Sequence, residues 1–190
     1  MEREVLITGI GGQGVQLAAQ VLARAATLEG REVMYLGLYG GMMRGGNTDS
    51  TVVVADSPIL APPVVSRAWS AIAMHDDYWP AVAAKLRPGA LVLVNDATFT
   101  SDPPGDAVVH RVPATTVAAD LGSPLSGSMV MLGAFCAVTG LVAEPALIAA
   151  MRASLPPYRT QHIEANERAL QAGARLLPAR EFPAWETAHV

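Results

Sequence analysis

Residues 5–14 constrain what this chain can fold into more than any other segment. Val5-Leu6-Ile7-Thr8 is a short apolar run, and Gly9-Ile10-Gly11-Gly12-Gln13-Gly14 follows it directly. Residues 15–29 are rich in Ala and Leu and free of proline, which predicts a helix stopped by Gly30. A buried strand, a tight glycine turn and a helix, in that order, open a doubly wound α/β sheet. Gly9, Gly11 and Gly14 satisfy G-x-G-x-x-G, with Gly12 as a fourth glycine. Such residues let the backbone turn sharply and come close to a ligand or another chain. The start of the helix then offers free N–H groups and partial positive charge to an anion.

Further strands are predicted over 32–38, 51–55, 71–74, 91–94 and 108–112. Helices are predicted over 76–86, 114–120, 127–141, 144–154 and 160–176. Pro80 falls in the first turn of the 76–86 helix, where proline is tolerated, and Pro88-Gly89 ends it. Strands alternating with helices predict an α/β fold. The expected form is a Rossmann-like, doubly wound, mostly parallel sheet with helices on both faces and a helical C-terminal part. One domain over 1–177 is expected. Residues 178–190 form a tail, docked through Phe182 and Trp185 or else frayed.

Composition narrows the function. Charged residues are 16% of the chain and hydrophobic ones 51%. Few charges are left to cover a solvated surface, which fits an α/β fold with a buried parallel sheet and, more sharply, faces buried against partner chains. The formal net charge is -4 and no basic run occurs, so no nucleic acid is expected as a partner. Residues 121–143 carry no charge, but the segment opens Leu-Gly-Ser-Pro. Its helix-compatible part, 129–143, falls short of the ~20 residues a bilayer needs. A buried or interface helix is expected there, not a membrane span. No charged leader precedes an apolar core and cleavage site, so no signal peptide is read and a cytoplasmic location is expected. Cys136 is the one cysteine, so the chain alone cannot form a disulfide or ligate a four-cysteine cluster. Within its apolar helix it reads as a small core residue.

The second predicted strand ends Tyr35-Leu36-Gly37-Leu38-Tyr39, without the acid that binds a nicotinamide cofactor's ribose. The turn therefore suits an anion or phosphate-containing ligand, or close packing against a partner. A free-standing NAD(P)- or nucleotide-binding Rossmann-like protein is the alternative reading. The next loop, 40–50, belongs at the same carboxyl edge of the sheet. Its Arg44, between glycine pairs, suits a carboxylate or phosphate, or an ion pair with a partner. Met42 and Met43 suit a contact surface. The candidate binding set is Gly9, Gly11, Gly12, Gln13, Gly14, Arg44, Gly45, Gly46 and Asn47. The Gln13 amide is placed to reach a ligand or partner. His75-Asp76-Asp77 could be a metal or acid–base cluster. Adjacent residues that point different ways favour a satisfied strand-end histidine, and no catalytic or metal-ligating residue is assigned. Residues 164–168 read as a solvated or interfacial face, and Gly133 with Gly140 as a site of close helix packing.

Several segments together resemble one family. They are Ile7–Gly14, Tyr39-Gly40 leading to Arg44-Gly45-Gly46, Asp56-Ser57-Pro58-Ile59, Met129-Val130-Met131-Leu132-Gly133-Ala134, and Glu164-Ala165-Asn166 through Gly173. In this order they resemble the gamma subunit, or gamma domain, of the pyruvate/2-oxoacid:ferredoxin (acceptor) oxidoreductases. The resemblance implies a subunit of a complex that oxidatively decarboxylates a 2-oxoacid to acyl-CoA. It implies thiamine diphosphate, Mg2+ and [4Fe-4S] clusters on alpha, beta and delta-type subunits, CoA as a co-substrate, and ferredoxin or NAD as acceptor. This chain would shape the complex and its active site, and would be inactive alone. The sequence departs from the family at Ser126-Gly127-Ser128, where relatives often carry an asparagine.

Overall fold

The structure is a computed structural model and describes residues 1–39, 45–60 and 64–185. Among the described residues six strands form one sheet: β1 (Glu2–Ile10), β2 (Glu32–Tyr39), β3 (Asn47–Ala55), β4 (Ala68–Ala73), β5 (Leu86–Asn95) and β6 (Val108–Val112). Their order is β2-β3-β1-β4-β5-β6. β1, β4, β5 and β6 pair in parallel, while β3 pairs antiparallel with both β1 and β2. β2 therefore runs with β1, and β3 alone is reversed. The predicted α/β fold, mostly parallel with a helical C-terminal part, is the observed one.

Alternate residues of the central strands β1, β4 and β5 feed two cores. Val5 and Ile7 of β1 join the larger core, with α1 (Val15–Leu28), α3 (Ala114–Asp120), α4 (Gly127–Thr139), α5 (Glu144–Ser154) and α6 (Ile163–Gly173). Leu6 joins the smaller one, where α2 (Trp79–Ala83) supplies Trp79 and Val82. The two helical layers are thus very unequal. A register irregularity between Ala68 and Ser70 re-aims β4, so that Trp69 and Ile72 both enter the larger core.

α4 is buried almost all round, as its uncharged sequence requires. At 13 residues it spans about 20 Å, and no described helix is long and apolar enough to cross a membrane. A β-carbon on Gly133 would fall on the Leu170 carbonyl of α6, and one on Gly173 would fall on the Val130 carbonyl of α4. The two glycines let the helix backbones touch. Gly133 therefore pairs with Gly173, not Gly140. Gly140 ends α4 at φ 60° and donates its N–H to the Cys136 carbonyl at 2.8 Å.

Residues after Leu177 run back over the end of α4. The N–H groups of Arg180, Phe182 and Ala184 donate to the carbonyls of Ala137, Val138 and Thr139 at 2.7–2.9 Å. These carbonyls would otherwise be orphaned at the helix end. Phe182 packs on Trp69, and Trp185 lies beneath the Arg31 guanidinium at 3.9 Å.

Local pattern misplaced several boundaries: β3 begins at Asn47, inside the loop predicted over 40–50, and β4 spans Ala68–Ala73 where the pattern predicts 71–74. The segment predicted as one helix over 76–86 holds the five-residue α2, and Leu86 already begins β5. Pro88 and Gly89 lie inside that strand, in the irregular stretch between the Ala68–Leu86 and Ser70–Leu91 pairs, with Gly89 at φ 72°. The helix predicted over 160–176 is α6 preceded by a 3₁₀ segment, Pro157–His162.

Candidate functional site

The glycine turn leaves β1 at Ile10 and enters α1 at Gly14, which sits at φ 78°. The Gly11 N–H donates to the Gly46 carbonyl at 2.9 Å, and the Gly45 N–H donates to the Gly11 carbonyl at 3.3 Å. These two bonds join the turn to the loop that precedes β3, beyond the Ile10–Asn47 pair of the sheet. Gly9, Gly11, Gly12, Gln13, Gly14, Gly45, Gly46 and Asn47 are thus gathered at one edge. Arg44 lies outside the described residues, as do Met42 and Met43.

Gln13 turns inward. Its Oε1 accepts the Ile10 N–H at 3.0 Å, and its Nε2 donates to the Met74 carbonyl at 3.2 Å. The amide expected to reach a ligand or partner is a brace between the turn and the end of β4. The same carbonyl accepts the Thr98 hydroxyl at 2.5 Å and the amide of the buried Asn95 at 3.5 Å. Asn95 Nδ2 also donates to the hydroxyls of Thr98 and Thr115 at 2.8 and 2.9 Å. The carboxyl edge beneath the turn is therefore a closed polar network, of the kind that rigidifies a core when every member is satisfied. On the other side, Asp49 accepts the Thr8 hydroxyl at 2.7 Å and the Asn47 amide at 2.9 Å.

A cleft of about 630 Å³ opens on the helical side of the turn. Gly12 and Gly14 form one wall, and Ser126 and Ser128 at the start of α4 form a second. Arg159 and Asn166 belong to the remaining wall, with His162 beside them. Ser126 is a residue type that caps helices, yet its hydroxyl donates to Asn166 Oδ1 at 2.8 Å. The departure at Ser126-Gly127-Ser128 is thus a buried polar spot. Sequence reasoning missed this cleft. The pattern of residues 164–168 reads as a solvated or interfacial face, and nothing local links Asn166 to Ser128.

His75, Asp76 and Asp77 do converge, with donor atoms within 4.8 Å of one another. Asp76 Oδ2 and His75 Nδ1 are already engaged in hydrogen bonds. Asp76 Oδ2 accepts the N–H and hydroxyl of Thr100 at 2.9 and 2.6 Å, and weaker bonds from Ser101. His75 Nδ1 accepts the Asp77 N–H at 3.2 Å. The Thr100 hydroxyl, with the Thr100 and Ser101 N–H groups, holds the Asp76 carboxyl down at about 2. Cys136 is buried in α4, and desolvation pushes its thiol upward, away from the reactive thiolate.

The topology also bears on the nicotinamide reading. In a dinucleotide site the second strand lies beside the first, so its terminal acid reaches the ribose. Here β3 lies between them, which separates β1 from β2 by ~10 Å. A family model described as "Pyruvate ferredoxin/flavodoxin oxidoreductase" matches residues 4–176.

The chain belongs to that family.

As a pyruvate ferredoxin/flavodoxin oxidoreductase family member it is 31% identical over 160 residues to 2-oxoglutarate synthase subunit KorC of Methanocaldococcus jannaschii, covering 82% of this chain and 85% of the relative. It is 33% identical over 157 residues to pyruvate synthase subunit PorC of Methanothermobacter marburgensis, covering 80% and 86%. The crystal structure of a keto/oxoacid ferredoxin oxidoreductase gamma subunit from Geobacter sulfurreducens PCA matches with a TM-score of 0.80 at 28% identity, covering 92% of this chain and 95% of that one. The resemblance read from the sequence motifs is therefore correct, and the chain is of the gamma-subunit type in this oxidoreductase family.

Proposed function

We propose that this chain is the gamma subunit of a multi-subunit, thiamine-diphosphate- and iron–sulfur-dependent 2-oxoacid:acceptor oxidoreductase. The complex converts a 2-oxoacid and CoA to acyl-CoA and CO2, and passes electrons to ferredoxin or NAD. The observation that carries this reading is the family match over nearly the whole chain, 4–176, including both glycine segments. The chain's own donor set does not fit an iron–sulfur cluster, because Cys136 is its one cysteine and is buried. Clusters, thiamine diphosphate and Mg2+ accordingly belong to alpha, beta and delta-type partners, and the complex works in the cytoplasm.

Within that complex, the edge holding Gly9, Gly11, Gly12, Gly14, Gly45, Gly46 and Asn47, with Arg44 next to Gly45 in sequence, is the close-approach surface toward CoA or a partner. Gln13 supports it from behind through its two hydrogen bonds. Glycines there let backbone meet the guest without intervening side chains. The low charged fraction, 16%, fits a chain with faces covered by partners.

The test is affinity purification of the tagged chain from its own host, with mass spectrometry of the bound chains and a 2-oxoacid oxidation assay. Larger chains carrying thiamine diphosphate and clusters are expected, with CoA-dependent activity only in their presence. Full activity from the isolated chain, or purification alone with bound NAD(P), would overturn the reading.

A further inference from the structure

Residues 180–185 lie beyond the segment that the family model matches, 4–176, yet they are firmly docked. Their N–H groups at Arg180, Phe182 and Ala184 satisfy the last carbonyls of α4. Trp185 Nε1 donates to the Leu141 carbonyl at 3.0 Å, and Arg3 Nε donates to the Ala184 carbonyl. Phe182 packs on Trp69 with 5.5 Å between ring centroids. The segment nevertheless starts on a strained residue. Arg180 sits at φ 56°, the one positive φ outside glycine among the described residues. Such a conformation is disfavoured by the side chain's own backbone and persists only where the surroundings hold it. The docked segment is a strap kept in place by its contacts.

One of those contacts is incomplete. His110 of β6 lies on the face that Val112 turns to the larger core. Its Nε2 is buried and has no hydrogen-bond partner. Glu181 Oε2 of the strap faces it at 3.6 Å, close enough for an ion pair but too long for a hydrogen bond. Among the described residues no other carboxylate pairs with the His110 ring, and Glu181 has no other charged partner. Leu93, paired with His110 from β5, is uncharged. Arg111 lies on the opposite face, held by Asp96 and the Phe99 carbonyl. α3 carries Asp120 as its only charged side chain and α4 carries none. Arg180 lays its side chain over Gly140. A neutral imidazole has one protonated nitrogen, whereas an imidazolium donates from both and supplies the charge that the Glu181 carboxylate can pair with.

We propose that residues 180–185 form a pH-sensitive strap: protonated His110 latches it through Glu181, and neutral His110 lets it loosen. Histidine gains its charge as pH falls from about 8 to about 5, a range in which a carboxylate is still ionised. The attraction therefore exists on the acid side of that range and is lost on the alkaline side. Opening the strap bares the Trp69 ring and the last carbonyls of α4. The latch needs nothing from a partner chain, so it goes beyond the subunit reading and does not rest on it.

The test is amide hydrogen exchange of the full chain by NMR at about pH 5.5 and about pH 7.5, with rates corrected for intrinsic exchange at each pH. The reporters are the Arg180, Phe182 and Ala184 amides, and the references are Ile7 and Val52 in the central sheet. Protection of the strap amides should be about threefold greater at the lower pH, the size expected of a partly exposed ion pair, with no such change at the references. His110→Gln and Glu181→Gln should each hold the strap at the lower protection at both pH values. Circular dichroism checks that both keep the fold. The Glu181 side chain is 49% exposed, so Glu181→Gln carries the test alone if His110→Gln unfolds. A wild-type response confined to the strap and absent from the folded variants supports the latch. Strap protection that is indifferent to pH in the wild type, or a pH response that survives in either variant, overturns it.

Discussion

Gly14 and Ser128 meet where α1 and α4 begin: the Ser128 hydroxyl occupies the space that a β-carbon on Gly14 would take. The glycine is needed twice, for its φ of 78° and for this approach. It brings the uncapped start of α1 against α4 and so creates one corner of the cleft.

Gly14→Ala should therefore destabilise the chain by about 2–3 kcal/mol, combining left-handed strain with overpacking. Gly12→Ala shares the strain, at φ 108°, but its β-carbon would enter open space. Its loss should be smaller, about 1–2 kcal/mol. Urea unfolding measures both. A double-mutant cycle with Ser128→Gly should show favourable coupling at Gly14 and none at Gly12. Equal losses for the two alanine variants would remove the steric half of the argument.

The reciprocal contact between α4 and α6 makes a second prediction. Gly133→Ala and Gly173→Ala each place a methyl on the facing helix's backbone, which cannot yield as a side chain can. A loss of about 3 kcal/mol is expected for each, at the upper end for overpacked cores. Gly105→Ala is the control. Nothing lies within 4 Å of its β-carbon position, and its effect should stay within about 0.5 kcal/mol.

Asp76 gives the chain an acid-labile point. Its carboxyl is held at about 2 by the Thr100 and Ser101 donors, below the ordinary carboxylate value of ~3.9. A depressed folded value stabilises the native state above the unfolded value, and that contribution disappears as pH falls through the folded one. The melting temperature of the wild type should exceed that of Asp76→Asn near neutral pH, and the gap should close between about pH 4 and about pH 2. A gap that stays constant across that range would show that the hydrogen bonds do not depend on the charge.

Cys136 should resist alkylation in the native chain. Burial in α4 disfavours its thiolate, and the thiolate is the reactive form. Modification by iodoacetamide should appear only with unfolding, following the urea transition. Rapid labelling of the folded chain would mean that α4 opens locally.

Much of the fold was legible because it is written locally. The β1–turn–α1 unit combines an apolar run, glycines and a proline-free helix within some two dozen residues. β6, α3 and α5 lie where their local patterns place them. The boundaries of β4, α2 and β5 were not legible. Pro88-Gly89 reads as a helix stop, whereas the pairing of Leu86 with Ala68 before them and of Leu91 with Ser70 after them carries those residues into a strand. Nor could the strand pattern give the direction of β3, since an isolated apolar run carries no polarity. Gln13 shows the same limit in a side chain. Its position in the turn was plain, but whether its amide faced outward depended on the Met74 carbonyl, 61 positions away.

The sequence by itself determined the α/β class, the glycine turn at the carboxyl edge and the family to which the chain belongs. Each rests on residue type and short-range order. Tertiary structure decided which groups meet around the turn. Gly14, Ser128, Arg159 and Asn166 are dispersed along the chain and share no local pattern. They line one cleft because α4 and α6 pack backbone to backbone at Gly133 and Gly173, and because Gly14 lets α1 start against α4. Long-range packing of this kind is set by shape between elements, which periodicity and spacing do not encode.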